Sequence, residues 1–218
     1  MEDKFIEHLN AAAEANAKYP DDPQAWITLV REKVHPKSRT PEENRAYCEK
    51  YPFLTWYGDP LYVGYDENHE LDYHFTWEDE LESGWRHAFC PQIWDELKEI
   101  LEKANYVNEF RFTQIKEKFG TLRLHFNGVP EEIWDEISAW EDKYYKLSEQ
   151  ICFDCGENLA THMATSWITF VCRDCAKKRD EEHFKKYGYH EHFVEIKNIN
   201  EFYEDREAYW EKHKDDKI

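Results

Sequence analysis

The sequence predicts an α+β fold, an antiparallel sheet flanked by helices with a small cysteine-bearing lobe near the C-terminus. Three observations predict it. Apolar residues recur at helical spacing in the first fifty residues and again after Pro130. Two stretches in the middle alternate with period two about a turn. Four of the six cysteines form two C-x2-C pairs, Cys152/Cys155 and Cys172/Cys175, with sixteen residues between them.

Taken in order, Phe5, Ile6 and Leu9 open a helical pattern. Asp22-Pro23 sets a capping side chain before a proline at the first helical position, and that helix stops near His35-Pro36. Thr40-Pro41-Glu42-Glu43 reads as a capping box, in which Thr40 caps the Glu43 amide and Glu43 reaches back. That helix runs to about Tyr51-Pro52. "LYVGY" and "LDYHF" read as a hairpin about "DENHE". A helix opens at Pro91 with Ile93, Trp94, Leu97, Ile100 and Leu101 on its inner face. "FRFTQIKEKFGTLRLHF" reads as a second hairpin of the central sheet, bent at Gly120. Phe110, Phe112, Leu122, Leu124 and Phe126 face the core, with Arg111, Arg123 and His125 opposite. Pro130 opens a long helix through Ile133, Ile137, Trp140, Tyr144 and Leu147. After Cys175 come a charged helix to about Tyr187, the strand "YHEHFVEI" and a last helix from about Asn200.

This gives a helical segment over 1–52, an α+β core over 53–150, a lobe over 151–180, and a strand and helix over 181–218 that pack on the body. The chain holds 13 Phe, 14 Tyr and 9 Trp, enough for a substantial core, and only 7 Gly. "MEDKFIEHLN" lacks the basic and apolar regions of a signal peptide, and no apolar run reaches the roughly 20 residues of a membrane helix. Cys48 and Cys90 show no disulfide pattern, so the expected compartment is a reducing cytoplasm.

The paired cysteines carry the chemistry. Zinc takes four soft, deprotonated ligands in a tetrahedron. A C-x2-C turn delivers two sulfurs to one side of the ion, and Gly156 stands where such a knuckle takes a positive φ. The alternating run Trp167-Ile168-Thr169-Phe170-Val171 leads into the second pair like a hairpin strand. The lobe is therefore expected to be a zinc ribbon holding a structural Zn2+, against the alternatives of two redox pairs or a disulfide pair. With four cysteines in the shell, His162 is expected at the surface. His190 and His192 alternate on a strand and, with His183, raise the question of a second metal site.

Charge constrains the partners. The chain carries −19. The stretch from Asp66 to Glu82 holds eight acids and no Lys or Arg. Such a field repels phosphate backbones, which are bound by neutralisation with Lys and Arg. Arg173, Lys177, Lys178 and Arg179 form a basic patch beside the second pair, read as a solvated helix start.

"GWRHAF", "QIKEKFGTLRLHFNG", "LSEQICFDCG" and "ATHMATSWITFVCRDCA" follow one another in a fixed order. That order resembles a group of uncharacterised phage and prophage proteins. They share a Gly-Trp before a helix, a KEKFG-LR hairpin and a paired-cysteine zinc module with a Trp before its second pair. The resemblance covers roughly residues 50–176. It rests on Gly84, Trp85, Lys116, Glu117, Lys118, Phe119, Gly120, Leu122, Arg123, Trp167 and the four cysteines. It implies a phage or mobile-element setting and a zinc site, with no particular reaction.

Three functional expectations follow. The first is a non-enzymatic interaction protein that uses Asp66, Glu67, Glu70, Asp72, Glu78, Asp79, Glu80 and Glu82 to meet a basic surface of a host protein, with Trp77 and Trp85 as apolar anchors. The second is an enzyme or binder that takes a nucleotide or other small anion at Arg111, Lys116, Lys118, Arg123 and His125. The third is a zinc-ribbon nucleic-acid binder, which the charge disfavours.

Overall fold

The computed structural model describes residues 39–56 and 73–213, together with residues 14, 17 and 18. The described residues form an α+β fold with seven α-helices and two small antiparallel sheets. The chain divides into two compact units that interleave along the sequence. The first comprises Met1–Glu80, Lys98–Ile115 and Leu124–Trp134, the second Leu81–Leu97, Lys116–Arg123 and Asp135–Ile218.

In the first unit, α1 (Pro41–Lys50) begins as its sequence dictates. The Glu43 amide donates to Thr40 Oγ1, and the Thr40 amide donates to Glu43 Oε2. A 3-10 turn at Pro52–Leu54 follows, and Thr55 bridges Thr76 in antiparallel register. The expected hairpin over 61–75 lies mostly outside the described residues, and its described end is a turn at 73–74. The aromatic core of this unit mixes edge-to-face and tilted ring pairs. The Phe53 ring meets Phe110 and Phe112 with centroids 6.1 and 6.3 Å away, and Phe110 meets Phe126 at 5.1 Å.

Helices α2 (Ser83–Phe89) and α3 (Gln92–Lys103) come next, separated by the Cys90-Pro91 bond. Ile93, Trp94, Leu97 and Leu101 are buried on α3, as their spacing requires, and Ile100 is half-buried. Strands β1 (Phe112–Lys118) and β2 (Thr121–Phe126) form the hairpin. Phe119 and Gly120 both have positive φ, the geometry of a two-residue turn matched to strand twist. Phe110, Phe112, Leu122 and Leu124 are buried and Phe126 is half-buried. The hairpin is a two-stranded sheet of its own, not part of a larger central sheet among the described residues. In the first unit, the rings of Phe53 and Trp77 pack against Phe112 where further strands were expected. Asn127 closes the base, donating its amide to the Arg111 carbonyl and accepting the Arg111 amide.

Helix α4 (Trp134–Gln150) follows a 3-10 turn after Pro130. Ile137, Trp140 and Tyr144 bury one face, and the Trp140 indole donates to the Ile93 carbonyl. The rest of the second unit is built on a three-stranded sheet in the order β4-β3-β5, from β3 (His162–Ala164), β4 (Thr169–Val171) and β5 (Phe193–Glu195). Helix α5 (Arg173–Tyr187) ends at Gly188, whose φ is +78°. Helices α6 (Ile199–Glu204) and α7 (Arg206–His213) follow β5. Phe202 and Tyr209 from these helices bury Met163 and Val194 of the sheet. The expected strand "YHEHFVEI" shortens to Phe193–Glu195; just before it the Glu191 amide donates to Asp180 Oδ1, while the His192 carbonyl still accepts the Thr165 amide. Among the described residues, no helix is long and apolar enough to cross a membrane.

Leu124 is 2% exposed. Leu124→Ala should cost about 2–5 kcal/mol, because a buried leucine leaves a cavity that its neighbours only partly fill. A urea titration checks this; a loss under about 0.5 kcal/mol, the scale of surface changes, would contradict the buried assignment.

Candidate metal centre

The first cysteine pair sits on a tight knuckle after α4. The Cys152 amide donates to the Asn158 carbonyl, and the Gly156 amide donates to the Cys152 carbonyl. Gly156 adopts φ +69°, as its place after a knuckle cysteine predicts. The second pair spans the start of α5, with Cys172 at the N-cap and Cys175 in the first turn. The Phe153 amide donates to the Phe170 carbonyl and pins the first knuckle against β4.

The sulfurs of Cys152, Cys155, Cys172 and Cys175 all lie within 4.8 Å of one another. Those of Cys155 and Cys172 are 4.0 Å apart. Four thiolates around a tetrahedral ion at about 2.3 Å would stand about 3.8 Å apart. All four are free thiols, and these separations fit a ligand set, not the roughly 2.05 Å of a disulfide. Burial raises the Cys152 and Cys175 thiols in the metal-free chain. Burial also pushes Cys155 up, but hydrogen bonds from the Glu157 and Asn158 amides outweigh it and hold that thiol at about 7. These residues fit a metal ion well. Among the described residues, no other group of His, Cys, Asp and Glu gathers in this way. Cys48 is separate and buried, and burial pushes its thiol up to about 11.

His162 is buried on β3, not at the surface as expected. Its Nδ1 lies 2.8 Å from Thr161 Oγ1, and burial lowers its pKa. His183, His190 and His192 are engaged separately. His183 Nδ1 meets the Tyr189 carbonyl, and His190 Nδ1 meets Asp180. His192 meets Thr165 Oγ1, and burial, with His213 nearby, holds it at about 4.

Sequence reading missed the frame around the cysteines. Gly84, at the start of α2, donates its amide to the Phe153 carbonyl at 3.2 Å. A Cβ at Gly84 would run into the carbonyl oxygens of Phe153 and Cys152, and one at Gly156 would run into the Gly84 carbonyl. Two backbones meet here with no room for side chains. Trp85, expected as an exposed anchor, is fully buried with its ring 5.1 Å from Phe153. Arg179 is no part of a solvated patch either. Its guanidinium forks onto Asp154 of the first knuckle at 2.5 and 2.7 Å and donates to Thr169 Oγ1. Arg173, Lys177 and Lys178 remain exposed.

The KEKFG turn packs on the ribbon. A Cβ at Gly120 would lie 2.7 Å from the Phe170 ring. Glu117 accepts the Gly120 amide at 2.5 Å and the Trp167 indole N–H at 2.9 Å. Lys116 is half-buried, and the Lys118 ammonium lies over the Phe119 ring. The Arg123 guanidinium lies over Tyr145, Arg111 Nη1 donates to the Phe110 carbonyl, and His125 is exposed.

The acidic stretch is divided. Asp66, Glu67, Glu70 and Asp72 lie outside the described residues. Trp77, Glu78 and Asp79 are buried, which corrects the expectation that they meet a partner at the surface. Glu78, 1% exposed, pairs with Arg39 at 2.6 Å and accepts from the Tyr47 hydroxyl at 2.8 Å. Asp79 accepts the Thr76 amide and hydroxyl. A buried carboxylate needs such partners, and here they supply the local fold. Glu80 and Glu82 are half-buried. No protein-family model, curated protein or solved structure matches the chain.

Gly84→Ala tests the backbone contact. In an open helix that change gains up to about 1 kcal/mol. Here it should cost about 1–3 kcal/mol in overpacking against the knuckle. Gly128, which has open space around its Cβ position, is the control. A stabilised Gly84→Ala protein in a urea titration would contradict the contact.

Proposed function

We propose that this chain is a non-enzymatic, zinc-stapled interaction protein of phage or prophage type, which binds a basic surface of a host protein. Zinc is the ion best suited to four thiolates in this spacing, and four thiolates leave no open position for a reacting water. On this reading the ion serves the fold, and function lies on the surface.

One observation carries the partner reading. Trp134, 52% exposed, opens α4 with Glu131, Glu132, Asp135 and Glu136 exposed around it. No Lys or Arg occurs between Arg123 and Lys143. A large exposed aromatic with acids on both sides in sequence suits a basic protein face, since the acids speed encounter and the ring supplies apolar contact. A defence factor or a nucleic-acid-binding factor is the class of host protein that presents such a face. Binding of a small anion at the 116–123 hairpin has less support. Glu117 occupies the turn amide there, and Lys118 and Arg123 face aromatic rings.

The test uses a partner captured from host lysate and then purified. Neutralisation by Glu131→Gln, Glu132→Gln and Asp135→Asn should slow association about tenfold at low salt, and Trp134→Ala should speed dissociation. The charge effect should shrink as salt rises, because exposed charges are screened beyond about 10 Å at 0.1 M. Capture of no basic protein, or unchanged association at low salt, would overturn the reading.

A further inference from the structure

Two turns of the second unit meet at Gly120, which lies against the Phe170 ring and, at 3.2 Å from its Cβ position, the Ile168 carbonyl. Each turn carries an exposed aromatic. Phe119 is 63% exposed and Trp167 is 51% exposed. Trp167 is held in place. Its indole N–H donates to Glu117 Oε2 at 2.9 Å, while Glu117 Oε1 accepts the Gly120 amide at 2.5 Å. The ring is therefore fixed by its edge while half its surface stays open. A second carboxylate stands at the same turn, where Glu191 accepts from the Ser166 hydroxyl at 3.1 Å.

Other aromatics of this unit already carry a cation. Lys118 lies over Phe119, Arg123 over Tyr145 and Arg179 over Phe153. Among the described residues, no Lys or Arg lies over Trp167. The most electron-rich type of ring is thus left open beside two carboxylates. Tryptophan binds cations best of the aromatic side chains. A carboxylate has about four lone-pair sites, so Glu117 retains acceptor capacity after its two bonds.

We infer that Trp167 and Glu117 form a receptor for an arginine side chain of a protein partner. The guanidinium stacks on the open indole face and donates to Glu117, with Glu191 adding charge at the rim. A planar guanidinium can satisfy the ring and the carboxylate together, whereas a lysine ammonium is a compact, strongly hydrated point charge. The two carboxylates disfavour a phosphate or a nucleic acid at the same place. This inference rests on the proposed basic partner and names the side chain that this turn would recognise.

The experiment titrates octa-arginine and octa-lysine peptides into the full-length, metal-loaded protein by calorimetry. The Trp167 indole N–H signal is followed in parallel by NMR. Octa-arginine should bind about tenfold more tightly than octa-lysine and should shift the Trp167 indole signal. Trp167→Ala and Glu117→Gln should each lower octa-arginine affinity several-fold and leave octa-lysine unchanged. Glu117→Gln loses an acceptor for the Gly120 amide or the Trp167 indole as well as charge, so Glu191→Gln, whose remaining oxygen can still accept from Ser166, tests charge alone and should also weaken octa-arginine binding. Equal binding of both peptides, with no variant altered, would overturn the arginine receptor and leave the basic-partner reading standing on net charge. Binding of neither peptide would overturn both.

Discussion

Four thiols gathered within 4.8 Å of one another are the constraint on which the second unit depends. The segment that carries them is short, and its sheet strands are three residues each. A structural metal in so short a segment commonly supplies on the order of 10 kcal/mol, in addition to the apolar core that Met163 and Val194 form here. Closing the cluster brings the first knuckle against the start of α5. Other groups fix the same junction. Arg179 forks onto Asp154, and the Phe153 amide bonds to β4. The knuckle in turn receives the backbone of α2 at Gly84, and β4 receives the hairpin tip at Gly120. The features that make this sequence peculiar, "GW" and "KEKFG", are thus the two surfaces that meet the ribbon.

Much of this was legible locally. The capping box at Thr40, the helix after Pro130, the bend at Gly120 and the positive φ of Gly156 depend on residues within a few positions of one another. The spacing of the cysteines likewise reports its own geometry. What stayed hidden needed partners far away in sequence. Trp85 reads as an exposed anchor until Phe153 is placed beside it. Glu78 reads as one more surface acid until Arg39 and Tyr47 surround it. Arg179 reads as a basic patch until Asp154 arrives from the other knuckle. His162 reads as a surface residue until β5 closes the far side of β3. A charge count treats all acids alike, but burial separates those that build the fold from those that face solvent.

The acids that remain outside are therefore the informative ones. Those flanking Trp134 in sequence and those beside Trp167 both accompany an exposed indole, and at Trp167 a carboxylate accepts the indole N–H. The arrangement is consistent with an acidic chain that acts by covering a basic face. On the proposed reading, the cysteine-bearing ribbon supplies rigidity and the turns it holds supply recognition. A rigid support matters because an anchor that is already ordered loses less entropy on binding.

Amide hydrogen exchange before and after chelation, with bound metal quantified, tests the central claim most directly. The account predicts one zinc per chain. It also predicts that stripping the metal removes protection from residues 152–176 and, with them, from 83–89, 117–123 and 193–196. Protection at 44–54 and 110–115 should persist. A protein that carries no metal when purified without chelator, or one whose residues 83–89 stay protected after the metal is gone, would contradict it.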